Sequence, residues 1–175
     1  MRHEFVGQAR VFGDHIDTDM IIPSRFLVTG DERELGRHAF IDSDPDFARR
    51  VAAGDILIAG KNFGCGSLRE HAPLAIRGAG IACIVAESFA RTFYRNCINR
   101  GLYAIELPGV SPLFSQGNRA RVSMESATVT NLDTGASMPF VPYPAFISEI
   151  CDSGGLFSYI EKKLGQRTGR ETIGG

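Results

Sequence analysis

Apolar residues in this chain fall into short blocks closed by glycine, proline or aspartate, and the blocks follow two different periods. Residues 55–59 (Asp-Ile-Leu-Ile-Ala), 80–86 (Gly-Ile-Ala-Cys-Ile-Val-Ala) and 103–107 (Tyr-Ala-Ile-Glu-Leu) are β-prone runs of strand length, the second apolar enough to be a buried strand. Between them, residues 70–79 and 88–100 read as helices, the second stopped by Gly101. Upstream, residues 4–12 read as an opening strand. Residues 46–54 read as a helix entered through Asp44 and Pro45 and stopped by Gly54. The order strand, helix, strand, helix, strand from 55 to 107 predicts parallel pairing through right-handed crossovers, an α/β core. Beyond it, residues 119–125 and 127–132 alternate apolar and polar, with Asp133-Thr134-Gly135 as a turn, which predicts antiparallel β structure appended to the core. Residues 142–164 read as a helix broken at Gly154-Gly155 and resumed. The polar, glycine-rich residues 165–175 read as a flexible tail to a single domain spanning 1–164.

Composition narrows the class without naming a chemistry. The 175 residues suit one domain with a real core, and a net charge of -1 with scattered basic residues gives no drive toward nucleic acid or anionic membranes. No apolar run approaches the roughly 18 to 20 residues that cross a bilayer, and the first residues lack the apolar stretch of a signal peptide, so a cytoplasmic protein is expected. Cys65, Cys83, Cys97 and Cys151 are too far apart for a zinc knuckle or a ferredoxin-type cluster and read as reduced, mostly buried thiols. The expectation is that this chain binds no metal of its own.

The densest chemistry lies in residues 60–73, Gly-Lys-Asn-Phe-Gly-Cys-Gly-Ser-Leu-Arg-Glu-His-Ala-Pro. Glycines where a strand hands over to a helix leave backbone amides pointing outward, and the helix dipole there favours negative charge. Gly64 and Gly66 would form such an oxyanion loop, with Ser67 at the helix start and Arg69 two residues on. Familiar motifs fail against it. A P-loop would need glycine at 55 and Ser or Thr at 62, where Asp55 and Asn62 stand. A dinucleotide fingerprint would need its third glycine at position 69, and a nucleophile elbow the glycine two residues after its serine, where Arg69 stands. Taken alone, Ser67 also reads as an ordinary helix cap, worth about 1 kcal/mol.

Residues 62–73, together with residues 14–23 (Asp-His-Ile-Asp-Thr-Asp-Met-Ile-Ile-Pro) and 89–101 (Phe-Ala-Arg-Thr-Phe-Tyr-Arg-Asn-Cys-Ile-Asn-Arg-Gly), resemble the small subunits of 3-isopropylmalate dehydratase, relatives of the swivelling C-terminal domain of aconitase. The resemblance runs from about residue 4 to 164. It implies a swivelling β/β/α domain that closes over a separate large subunit carrying a [4Fe–4S] cluster, with a small hydroxy-dicarboxylate as substrate. The implied reaction interconverts 2- and 3-isopropylmalate by dehydration and rehydration in leucine biosynthesis. Homoaconitase and dimethylmalate-type dehydratases are the alternatives.

Through the resemblance, Ser67 is the base, acting as an alkoxide that nearby amides must stabilise. Arg69 and Arg25 are carboxylate clamps, a bidentate task that lysine cannot copy. Asp14 and His15 match an Asp-His pair that orients groups at the site, and His71 is expected to brace the loop. Where the family usually carries a second serine this chain has Leu68, so that carboxylate contact passes to a backbone amide or substrate preference changes. Substrate choice is expected in the loop after Arg25, at Val28 and Thr29. Val28 cannot pair a carboxylate and gains about 1 to 3 kcal/mol by covering an alkyl group, whereas Thr29 resembles the homoaconitase loop.

Overall fold

A computed structural model describes residues 4–67 and 69–171. Residues 1–3, Leu68 and residues 172–175 lie outside the described residues. The strands are β1 (Glu4–Val11), β2 (Ile56–Ala59), β3 (Cys83–Ala86), β4 (Tyr103–Glu106), β5 (Arg119–Ser123), β6 (Thr128–Asn131) and β7 (Ser137–Pro139). The α-helices are α1 (Thr18–Ile21), α2 (Glu32–Arg37), α3 (Phe47–Arg50), α4 (His71–Gly78), α5 (Arg91–Asn99), α6 (Ala145–Asp152) and α7 (Leu156–Glu171). They surround one curled sheet of order β4-β3-β2-β1-β5-β6-β7.

β1 is the hinge of that sheet. Ala9 to Val11 pair in parallel with Ile56 to Ile58 of β2, while Glu4 to Gln8 pair antiparallel with β5. On one side the parallel ladder continues β2-β3-β4; on the other the antiparallel ladder continues β5-β6-β7. Every residue of β2 and β3 is buried, as expected of parallel strands covered on both faces. Their side chains alternate between two cores. Leu57, Ala59, Ile84 and Ala86 pack under the helices with Phe40, Phe47, Phe63 and Ile76. Ile56, Ile58, Cys83 and Val85 pack on the opposite face against Phe5, Ala120, Val122 and Val129 of the antiparallel half. The result is the β/β/α layering that the resemblance implied.

The differences from the sequence pattern have local causes. The helix expected over 46–54 shrinks to α3 because Asp44 and Asp46 give their carboxylates to Arg50 and Arg49 instead of capping, and Val51 is already extended at φ -70, ψ 124. The helix expected from 88 begins at Arg91, since Ser88 to Ala90 pair with Asn62 and Phe63. Helix α7 runs seven residues past Leu164, through most of the expected tail. Cys83, Cys97 and Cys151 are buried, Cys65 half-buried, and all four are free thiols. Burial pushes the Cys97 thiol well up, and that of Cys151 to about 12. No described helix is long and apolar enough to cross a membrane.

Candidate active site

The glycine loop leaves the C-terminal end of β2 and is clamped between two segments. Residues 14–18 lie on one side: the His15 N–H donates to Lys61 O at 2.8 Å, the Gly64 N–H to Ile16 O at 2.7 Å and the Thr18 N–H to Cys65 O at 2.9 Å. Residues 88–90 lie on the other. There the Asn62 N–H donates to Ser88 Oγ at 2.8 Å, the Phe63 N–H to Ser88 O at 3.0 Å and the Ala90 N–H to Phe63 O at 3.0 Å. The three separate sequence motifs are therefore one structural unit.

Asp14 and His15 are brought to the base of the loop. Asp14 Oδ1 accepts the Lys61 N–H at 2.7 Å, and it lies so close to Gly60 that a Cβ there would sit 1.9 Å from it. His15 and Asn62 both adopt left-handed backbone, φ 55 and 56, and face each other through His15 Nδ1 and Asn62 Nδ2 at 3.2 Å. With the amide as donor, Nδ1 accepts and the ring proton resides on Nε2. Two non-glycine residues held this way mark a locally strained turn of the kind found at functional sites. Of the other carboxylates in residues 14–19, Asp17 caps α1 by accepting the Met20 N–H at 2.8 Å, and Asp19 is exposed.

Ser67 does not start the helix. α4 begins at His71 with Glu70 as its N-cap residue, so the helix-cap reading of Ser67 is corrected. The Ser67 N–H donates to Thr18 Oγ at 3.0 Å and so is not free for an oxyanion, while the Gly66 N–H has no partner among the described residues. Ser67 is half-buried and Arg69 exposed, with no ion pair for Arg69 among the described residues. His71 Nδ1 is buried with no hydrogen-bond partner among the described residues, so that nitrogen gives the loop no hydrogen bond there. Leu68, expected to touch substrate, lies outside the described residues.

Arg25 is engaged already. It lies in the short 3-10 turn Ser24–Phe26 and forks onto Asp42, with Nη1 to Oδ2 at 2.8 Å and Nη2 bonded to Oδ1. The hydrogen bonds raise the Arg25 pKa and hold the Asp42 carboxyl below its ordinary value. Val28 is 86 % exposed, and Thr29 Oγ accepts the Asp31 N–H at 3.0 Å, closing the turn into α2. Among the described residues no group of three or more His, Cys, Asp or Glu side chains could hold a metal ion.

Thr18, Ser88 and Asp42 escaped the sequence reading. Thr18 sits inside a motif whose carboxylates drew attention instead. Thr18→Val keeps the shape of this buried side chain and removes the acceptor of the Ser67 N–H. It is expected to lower Tm by roughly 2–4 °C in thermal unfolding of the isolated chain.

Comparisons with known proteins bear on this arrangement. Residues 7–109 match the aconitase C-terminal domain family. The chain is 50% identical over 163 residues to the 3-isopropylmalate dehydratase small subunit 1 of Methanopyrus kandleri, covering 93% of this chain and 96% of that one. It is 46% identical over 166 residues to the isopropylmalate/citramalate isomerase small subunit of Methanocaldococcus jannaschii, with coverage of 95% and 99%. A crystal structure of 3-isopropylmalate dehydratase from Methanocaldococcus jannaschii superposes with a TM-score of 0.89 at 35% identity, over 95% of this chain and 99% of that chain.

Proposed function

The chain belongs to the aconitase C-terminal domain family, among the small subunits of 3-isopropylmalate dehydratase, and on that premise we propose that it is the small subunit of a cytoplasmic hydro-lyase that interconverts 2- and 3-isopropylmalate in leucine biosynthesis. The observation that carries this reading is the clamped loop that presents a half-buried Ser67 beside an exposed Gly66 amide and an Arg69 that have no hydrogen-bond or ion-pair partner among the described residues. Dehydration needs a base for the C–H proton and a Lewis acid for the departing hydroxyl. In this reading, as the family resemblance implies, a [4Fe–4S] cluster on the large subunit would supply the Lewis acid.

This chain's residues then have distinct tasks. Ser67 Oγ takes the proton, and its negative charge is offset by the Gly66 N–H and the nearby Arg69 cation. Arg69 pairs one substrate carboxylate bidentately, and Arg25, which Asp42 holds in the free chain, takes a second once it is released. Asp14 and His15 fix the loop's entry from below. Val28, almost fully exposed on this chain alone, covers the alkyl substituent once the large subunit closes the site.

The test is reconstitution with the large subunit and a panel of 3-isopropylmalate, citramalate, dimethylmalate and homocitrate. Turnover of 3-isopropylmalate with the highest kcat/KM is expected, and turnover by this chain alone would sink the two-subunit reading. Val28→Arg in the same panel is expected to cost roughly 10- to 200-fold in kcat/KM for 3-isopropylmalate, since an arginine fills the alkyl site, and to raise relative activity on homocitrate. An unchanged ranking would detach this loop from specificity.

A further inference from the structure

The Arg25–Asp42 pair is unlike the chain's interior arginine–carboxylate pairs. Asp55 is buried and accepts from the Gln8 and Ala52 N–H groups as well as from Arg10 Nε, so it holds a turn together. Arg77 braces α2 to α4 through Glu32 and also donates to Arg100 O, in half-buried surroundings. Arg25 and Asp42 are 56% and 54% exposed, and neither side chain has another hydrogen-bond partner among the described residues. Yet the contact is a full fork. Such a pair in water contributes little to stability and exchanges readily.

What the pair does is fix a loop. Arg25 Cζ lies 4.6 Å over the Phe26 ring, and that ring stacks on His38 at 4.0 Å and 8°. The 24–26 turn is thereby held to residues 38–42 by one aromatic stack and one carboxylate. The stack can persist without the carboxylate, because Phe26 and His38 meet face to face whatever occupies the guanidinium.

We propose that Asp42 is a stand-in for a substrate carboxylate. In the free chain it occupies the Arg25 fork, and the incoming carboxylate displaces it from a guanidinium that the Phe26–His38 stack keeps in place. The proposal rests on the reading of Arg25 as a carboxylate clamp. Because one carboxylate replaces another in the same fork, the exchange needs no new geometry. Asp42 is tethered beside the cation, so it competes at high effective concentration and raises the KM of the wild-type complex.

Two measurements test this. In the reconstituted complex, Asp42→Asn removes the competing charge and lowers KM for 3-isopropylmalate by roughly twofold to fivefold, with the effect on KM and not on kcat. Asp46→Asn, which removes the carboxylate paired with Arg49, leaves KM unchanged. In the isolated chain, phenylglyoxal labelling read by peptide mass mapping modifies Arg25 several-fold faster in Asp42→Asn than in wild type, with Arg33 as the internal reference. Equal labelling overturns the latch. Faster labelling with KM unchanged or raised overturns the displacement. A complex that turns over no hydroxy acid in the panel removes the clamp reading and the proposal with it, and labelling of the isolated chain tells that failure from the absence of the pair.

Discussion

Ser67→Ala is expected to lower kcat of the reconstituted complex by roughly 10²- to 10⁴-fold, the contribution typical of a positioned proton-transfer group, while Tm stays at the wild-type value. The combination matters more than either number. Were Ser67 a helix cap, alanine would cost about 1 kcal/mol of stability, enough to lower Tm by roughly 2–4 °C. The helix instead begins four residues later, and what ties Ser67 down is its backbone N–H on Thr18 Oγ, which alanine retains. Only Oγ is lost. Thermal unfolding of the isolated chain and steady-state turnover with the large subunit therefore separate the two roles: lost turnover at unchanged Tm assigns Oγ to the chemistry, and retained turnover removes Ser67 from it.

How this site was readable in the sequence differs from residue to residue. The strands β2 and β3 were legible because burial on both faces forces continuous apolar runs, and β4 because three of its four residues are buried; the expected runs began too early at β2 and β3 and ended one residue too late at β4. Gly80 and Ile81 looked like strand, but their N–H groups go back to Arg77 O and Ile76 O to close α4. Helices α1 and α2 were not legible. Four and six residues carry no period, and α1 is fixed by the Asp17 cap and by Cys65 O, contacts that exist only in the folded chain. β7 is three residues whose pairing with β6 sets them.

The residues proposed for the chemistry were legible as a motif, whereas their supports were not. Asp14, His15, Ser67 and Arg69 stand in recognisable strings. Thr18 acts on Ser67 across 49 residues and Ser88 on Asn62 across 26, distances over which no local pattern signals a hydrogen bond. Asp42 was invisible for a different reason. It occupies a guanidinium that sequence reasoning had reserved for the substrate.

Gly64→Ala is expected to be the most destabilising single methyl in the loop. The backbone there has φ +80, where alanine costs about 1–2 kcal/mol, and the added Cβ would lie 2.1 Å from Phe93 Cγ and 2.6 Å from Phe93 Cβ. Phe93 cannot step aside: it is 3% exposed and packed edge-on against Phe63 at 5.4 Å and parallel to Phe89 at 6.3 Å. Overpacking of a filled core costs about 1–3 kcal/mol more, so a total of roughly 2–5 kcal/mol and a fall in Tm of about 4–20 °C are expected. Moving the Phe63–Phe93 contact also moves the 62–63 pairing with 88–90, so turnover is expected to fall with stability. Gly66→Ala is the control. Its φ of +99 carries a comparable backbone penalty, but the nearest atoms to its Cβ, on Asp17 and Thr18, are 3.5 Å away. Its Tm should therefore fall by only the conformational part. Equal losses in the two variants would show that left-handed backbone, and not the wall of Phe93, makes the loop require glycine at position 64.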